Sequence, residues 1–156
     1  MVLFALLSFS CSTEDNLEET ESNVSTNVVI PETKIIEIEI IERINTYRLD
    51  LGLNALNSMD AIKSQAYIHT DYMIDQDNVS HDNFFQRKNY LVENVGANKV
   101  SENVAYGYTN AQSVVNAWIN SDGHRANLEG DYTDFDISAE QNSEGKWYFT
   151  NIFVKK

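Results

Sequence analysis

This chain of 156 residues contains a single cysteine, Cys11, and a single proline, Pro31. One cysteine excludes an intramolecular disulfide, so the fold must be held by its apolar core alone. Basic residues are also scarce, at 11 lysines and arginines against 24 acidic residues, which gives a formal net charge of -13. Because nucleic acids and anionic membrane surfaces are bound through clusters of basic residues, this composition argues against nucleic acid as a partner.

The first eleven residues have the pattern of a bacterial lipoprotein signal peptide. The apolar run at residues 2–9 is too short to span a bilayer, which takes about 20 apolar residues, but it suits the apolar region of a secretory signal. Cys11 follows at the position of a lipidated cysteine. We therefore expect export, and anchoring to the bacterial outer membrane or cell surface through lipid on Cys11. The alternative is an apolar N-terminus with an incidental cysteine.

The segment that follows is acidic and poor in apolar residues. Residues 12–31 carry five acidic side chains and no basic one. Such a segment buries too little apolar surface to become ordered, so we interpret it as a disordered acidic tether. The remaining residues, 32–156, contain 19 acidic and 11 basic side chains, a net charge of -8. Their number is sufficient for one domain with a single core.

The domain at residues 32–156 begins with helical patterns and ends with strand patterns. Apolar residues at helical spacing and capping signals predict helices over residues 32–51, 60–75 and 84–92 and another that begins at a capping box in 109–112. Alternation with a period of two predicts strands at 135–139 and 147–154, joined by a turn at 142–145. Asn57 or Ser58 is expected to cap the second helix. This order predicts an α+β domain that ends in a β-hairpin.

Three polar residues, His81, Glu102 and His124, are the first candidates for a shared site. They include two of only three histidines in the chain, with an acid between them in the sequence. We interpret the segments that carry them as loops or ends of elements, where functional residues concentrate. A carboxylate can orient an imidazole for proton transfer, and two neutral imidazoles suit a zinc ion.

Each candidate also has a structural interpretation, which the sequence leaves open. His81 can cap the turn in which it lies, and His124 can stabilise the C-terminal end of a helix. Glu102 can pair with Arg125 or accept hydrogen bonds from backbone N–H groups. The third histidine, His69, is expected to pack on the face of a helix.

Three motifs in order resemble the bacterial branch of the CAP family, the SCP-like cysteine-rich secretory, antigen-five and pathogenesis-related proteins. Family members carry F-S-H, then G-E-N-I-A, then W-x-x-S-x-G-H-R-x-N-I-L, before two closing strands. In this chain, residues 79–81 read V-S-H, residues 101–105 read S-E-N-V-A, and residues 118–128 read W-I-N-S-D-G-H-R-A-N-L. The resemblance extends over about residues 36–154.

The resemblance implies an α-β-α sandwich with a cleft lined by two histidines and acidic residues. His81, Glu102 and His124 would be its catalytic residues in an enzyme, and His81 and His124 would hold zinc or another divalent metal. Members with a fuller site add a second acid before the last histidine, which residues 118–121 lack. The metal is therefore expected to be weakly held. Residues expected to line or support the cleft are Ser80, Asn103, Ser121, Arg125 and Asn127.

Three functions are compatible with these features. The first, which we favour, is an exported, lipid-anchored module that binds a small apolar or peptide ligand in the cleft. The second is a peptidase-like hydrolase, in which Glu102 acts through a histidine or a metal activates water. No serine has the G-x-S-x-G setting of a nucleophile elbow. The third is a structural or adhesion domain with a vestigial cleft.

Overall fold

The structure, a computed structural model, describes residues 28–156. The expected signal peptide, Cys11 and residues 12–27 of the expected tether lie outside the described residues. The described elements are α1 (Ile35–Asp50), β1 (Asn57–Ser58), α2 (Asp60–Asp75), α3 (Phe84–Val95), β2 (Lys99–Tyr106), α4 (Ala111–Ile119), α5 (Asp122–Leu128), β3 (Asp134–Gln141) and β4 (Trp147–Lys155). The α+β class is confirmed. Within residues 28–156, every helix is too short or too polar to cross a membrane.

The four strands form one sheet in the order β1-β3-β4-β2. β3 and β4 make the expected C-terminal hairpin, in which Phe135 lies opposite Phe153. β2 pairs antiparallel with the other side of β4, and the two residues of β1 pair parallel with β3. β4 is therefore central and covered on both faces, which explains why both of its faces are apolar. β2 is an edge strand.

Side chains alternate between the two faces of the sheet, and different helices cover each face. Phe149 and Phe153 of β4 pack in the larger core with residues of α1, α4 and α5. Ile152 and Val154 of the same strand pack on the opposite face with residues of α2 and α3. A strand with a period of two can serve two cores in this way. The α-β-α sandwich implied by the resemblance is confirmed.

Two capping predictions are wrong. Asn57 and Ser58 do not cap α2, because they form β1, and the N-cap position belongs to Met59, whose side chain makes no capping bond. The expected capping box in residues 109–112 is also absent, since α4 is capped by Asn110 alone. Its side chain accepts a hydrogen bond from the backbone N–H of Ser113. In both cases the helix begins one or two residues away from the expected signal.

Two unpredicted elements carry candidate residues. Glu102 and Asn103 lie in the middle of β2, not in a loop as the sequence suggested. His124 lies inside α5, not beyond the end of a helix. α5 has only seven residues, including a glycine and an asparagine of low helix propensity, so its pattern is too weak to detect. Packing of its buried Leu128 in the larger core holds it in place.

Candidate functional site

A cleft of about 490 Å³ opens beside β2, the edge strand of the sheet. His81 reaches this cleft from the loop between α2 and α3, and His124 reaches it from α5. α2 and α3 cover one face of the sheet and α5 covers the other, so the two histidines approach each other around the edge strand β2. The cleft is therefore formed where the two helical layers come together.

The walls of the cleft are mainly apolar and aromatic. Its lining residues are Val79, Ser80, His81, Val104, Ala105, Tyr106, Tyr108, Ala117, Trp118, Ser121 and His124. Trp118 is fixed by a hydrogen bond of 3.2 Å from its Nε1 to the carbonyl oxygen of Val104. The ring of Tyr106 packs on that of Tyr148, with centroids 4.6 Å apart. The cleft thus combines a rigid apolar wall with two imidazoles and two serine hydroxyls.

Glu102 lies behind His81, and its side chain is only 1% exposed. Its Oε1 is 2.9 Å from Nδ1 of His81. Both carboxylate oxygens also accept hydrogen bonds from Arg87, at 2.8 Å from Nε and 2.8 Å from Nη2. Burial favours the protonated acid, but the hydrogen bonds from His81 and Arg87 outweigh it and hold the pKa of Glu102 below its ordinary value.

The contact with Glu102 determines which nitrogen of His81 carries the proton. An ionised carboxylate can only accept, so His81 donates from Nδ1 and keeps Nε2 as a free acceptor. The ring is 55% exposed, which makes Nε2 accessible to a ligand. Glu102 itself does not line the cleft, although the resemblance placed it there. It lines a smaller adjoining cavity of about 290 Å³ that also contacts His81.

His124 is held by hydrogen bonds to Ser121 and Asn103. Its Nδ1 is 2.9 Å from Oγ of Ser121. Its carbonyl oxygen accepts from Nδ2 of Asn103, and Asn127 donates to Oδ1 of Asn103 at 2.8 Å. Burial, followed by the electrostatic effect of the nearby His81, lowers the pKa of His124, so its ring is neutral at neutral pH. Asn103 and Asn127 therefore tie α5 to β2 and position this histidine.

The other candidates occupy supporting positions. Ser80 and Ser121 line the cleft, whereas Arg125 does not. Arg125 donates to the carbonyl oxygen of Ile119 at 3.1 Å and pairs with Asp122 at 2.6 Å. The pairing of Glu102 with Arg125, left open by the sequence, is wrong, and Arg87 takes that place.

Arg87 is a residue of the site that was not predicted from the sequence. This residue also donates from Nη1 to the carbonyl oxygen of Asp82, which fixes the loop that carries His81. A signal was present, because Arg87 lies three residues after Phe84 and four before Leu91, on the apolar side of α3. A charged residue at such a position indicates a buried partner.

His69 contributes to the site from α2. It is buried as expected for a packed helix residue, and its Nε2 donates to the carbonyl oxygen of Ser80 at 2.7 Å. The same nitrogen is 3.8 Å from Oε1 of Glu102. Burial lowers the pKa of His69, which keeps it neutral. His69 therefore supports the backbone next to His81.

The cleft offers a divalent metal two protein ligands at most. Among residues 28–156, no group of three or more His, Cys, Asp and Glu side chains is placed to hold an ion. Glu102 is already engaged by Arg87. Structural zinc sites take four protein ligands and catalytic sites three. His81 and His124 alone therefore fall short of the ligand set of a tightly bound zinc ion.

Comparisons with known proteins place the chain in a family. Residues 41–153 match the family model described as "CAP: Cysteine-rich secretory protein family". The chain is also 30% identical over 124 residues to "Uncharacterized membrane protein YlbC" of Bacillus subtilis (strain 168). That match covers 77% of this chain and 34% of the relative, so the chain spans about a third of the length of this curated relative.

Solved structures share the fold. An outer surface protein from Borrelia burgdorferi superposes with a TM-score of 0.68 and 24% identity, covering 75% of this chain and 90% of that protein. An extracellular protein containing a SCP domain from Bacillus anthracis superposes with a TM-score of 0.67 and 23% identity, covering 77% of this chain and 40% of that one. The chain therefore belongs to the CAP family of cysteine-rich secretory proteins.

Proposed function

We propose that this protein is an exported binding module whose cleft takes a small ligand with an apolar body and one polar group. The observation that carries this proposal is the composition of the cleft, where an apolar wall faces two imidazoles. Clefts of this size with a few polar groups are typical of small-molecule sites. The nearby acid, Glu102, is withdrawn behind His81 and neutralised by Arg87.

The hydrogen-bonding state of His81 determines which kind of polar group a ligand must carry. Nε2 of His81 is an acceptor, because Nδ1 carries the proton that Glu102 binds. A ligand hydroxyl or amide N–H would satisfy that nitrogen. The apolar body would then pack against Val104, Tyr106 and Trp118, which line the same cleft. A peptide with an apolar side chain could present the same combination, and the test must separate the two.

The fluorescence of Trp118 allows this binding to be measured. The chain has two tryptophans, so Trp147→Phe leaves Trp118, in the cleft wall, as the sole reporter. We would titrate this variant with decanol and with N-acetyl-leucine amide. The proposal expects a saturable change with decanol that weakens at least about tenfold in the His81→Ala/His124→Ala variant, a loss of about 1.4 kcal/mol.

Gln112→Ala, exposed on α4 outside the cleft, is the matched control and should bind decanol normally. Saturation by the peptide analogue alone would assign the cleft to peptide. Failure of both probes to bind would contradict the proposed function and favour the structural or adhesion role.

A divalent metal is the second component of the proposal. His81 and His124 would hold it, and with the metal bound an oxygen of the ligand would coordinate the ion as a Lewis acid instead of donating a hydrogen bond to Nε2 of His81. Calorimetric titration with zinc should give micromolar or weaker binding that disappears in His81→Ala/His124→Ala. Zinc binding that persists in this folded double variant would show that the metal is held elsewhere.

Hydrolysis is the alternative, favoured by one contact. Oγ of Ser121 lies 2.9 Å from Nδ1 of His124, a distance at which a histidine can accept the proton of a serine. Turnover of p-nitrophenyl butyrate or of a casein substrate that is lost in Ser121→Ala would support a serine mechanism. Turnover that is lost in His81→Ala but kept in Ser121→Ala, and that a chelator abolishes and zinc restores in wild type, would support metal-activated water instead.

Export and lipid anchoring complete the proposal. The names of two similar structures describe an outer surface protein and an extracellular protein, which supports export of this chain. Cys11, outside the described residues, is the proposed site of lipid attachment. Metabolic labelling with an alkynyl fatty acid should mark the wild-type protein and not Cys11→Ser, and the variant should leave the membrane fraction. Equal labelling of both proteins would contradict lipid attachment at Cys11.

A further inference from the structure

A second cavity, of about 310 Å³, lies between α2 and α3 on the face of the sheet away from α4 and α5. Its lining residues are Gln65, Ile68, His69, Tyr72, Asn83, Gln86, Arg87 and Tyr90. The cleft and this cavity share none of these residues. Its volume lies at the lower end of the range for small-molecule sites, about 300 to 1,000 Å³.

Two deeply buried polar side chains, His69 and Gln65, belong to this lining. His69 is 1% exposed, and its Nδ1 has no partner among residues 28–156. Because the carbonyl oxygen of Ser80 can only accept, Nε2 of His69 carries the proton and Nδ1 is a free acceptor. Gln65 is 8% exposed, and its amide lines the same cavity. Buried polar groups are normally paired, so Nδ1 of His69 leaves an acceptor for a ligand that donates a hydrogen bond.

The cavity has no uncompensated charge to offer. The guanidinium of Arg87 donates hydrogen bonds to the carboxylate of Glu102 and to the carbonyl oxygen of Asp82. His69 is neutral, because burial lowers its pKa. A charged ligand would lose its hydration here without gaining an opposite charge. The ligand class is therefore neutral.

The remaining lining combines flat apolar surfaces with amides. The rings of His69 and Tyr72 stack with centroids 5.9 Å apart, and Tyr90 and Ile68 add further apolar area. Amides of Asn83 and Gln86 lie at the exposed side of the cavity. Each amide offers both donors and acceptors. Such a lining suits a ring that has C–H groups on its faces and hydroxyls around its edge.

We propose that the cavity between α2 and α3 is a binding site for one neutral sugar ring. The C–H face of the ring would pack on Tyr72 or Tyr90, and its hydroxyls would pair with Nδ1 of His69 and the amide of Gln65. This site does not depend on the ligand of the cleft. A free monosaccharide and the end of a polysaccharide have the same recognition chemistry.

NMR titration of the labelled full chain tests the site. The probes are N-acetylglucosamine and glucose, with glucosamine and glucuronate as charged analogues and cyclohexanol as an apolar ring. We expect the neutral sugars to shift the side-chain amide signals of Gln65 and Gln86 and the ring signals of Tyr72 and Tyr90, saturably and in the millimolar range. The charged analogues should bind several-fold more weakly. A disaccharide of N-acetylglucosamine that binds more tightly than the monomer would identify a polymer as the source.

Gln65→Leu removes the buried amide at nearly constant volume and should weaken sugar binding at least about fivefold. Gln112→Leu, on the exposed side of α4, makes the same chemical change away from the cavity and should have no effect. If Gln65→Leu does not fold, Gln86→Leu at the exposed side of the cavity provides the same test. The proposal is overturned if no sugar shifts these signals at tens of millimolar. It is also overturned if cyclohexanol binds as well as the sugars and Gln65→Leu changes neither.

Discussion

Oε1 of Glu102 lies 2.9 Å from Nδ1 of His81, with the acid buried and the imidazole half exposed. A free imidazole prefers its proton on the other nitrogen, so this contact reverses the usual tautomer. We predict that neutral His81 carries its proton on Nδ1. Long-range 15N–1H NMR spectra should show Nδ1 as the protonated nitrogen and Nε2 as the unprotonated one. A spectrum with the proton on Nε2 would show that Glu102 does not control His81 in solution.

Removing Arg87 should destabilise the fold strongly. Arg87→Met leaves the carboxylate of Glu102 buried without its bidentate partner, and breaking a buried pair in this way costs about 3–5 kcal/mol. Urea denaturation would measure the loss. Arg87→Met/Glu102→Gln should recover part of it, because no buried charge then lacks a partner. Asp122→Asn, in an exposed pair with Arg125, is the control and should change the free energy of unfolding little.

We predict that Asn103 positions the imidazole of His124 through a hydrogen bond to its backbone carbonyl oxygen. Asn103→Leu keeps the volume of the side chain but removes the donor to the carbonyl oxygen of His124 and the acceptor for Asn127. Loss of these buried hydrogen bonds should cost about 1–3 kcal/mol. NMR shifts of His124 should move, while those of His81 stay unchanged. Unchanged signals for both histidines would assign Asn103 to stability alone.

The buried Asp136 should make stability depend on pH. Burial raises its pKa to about 6, although the backbone N–H groups of Ile137 and Met59 both donate to it. The folded state then binds more protons than the unfolded state between pH 3.8 and about 6, so this residue costs stability as pH rises through that window. A difference of about two units corresponds to about 3 kcal/mol at most.

We therefore expect Asp136→Asn to gain stability relative to wild type as the pH rises from 4 to 7. Urea denaturation of both proteins at several pH values would measure this difference. The comparison cancels the titration of other groups, including the nearby buried Lys63 and Glu37. A stability difference between the two proteins that does not change with pH would contradict the raised pKa.

Much of the fold could be predicted because its signals are local. α2 was predicted over 60–75 because apolar residues repeat at helical spacing along a long segment, and the helix has these bounds in the structure. β4 was predicted over 147–154, close to its observed bounds, because its residues alternate with a period of two. β2 was missed, since it mixes Glu102 and Asn103 with small residues and has no clear alternation. Those two polar residues are explained only by their partners on α3 and α5.

The sequence by itself determined the family, the fold class and the three candidate residues His81, Glu102 and His124. These depend on short motifs, whose residues and order are the same whether or not the chain is folded. Tertiary structure decided what each residue does. Adjacent residues of a strand face opposite sides of a sheet, so Glu102 meets Arg87 in one layer while Asn103 meets His124 in the other. The order of the strands places β2 at the edge, and only there can His81 and His124 share a cleft.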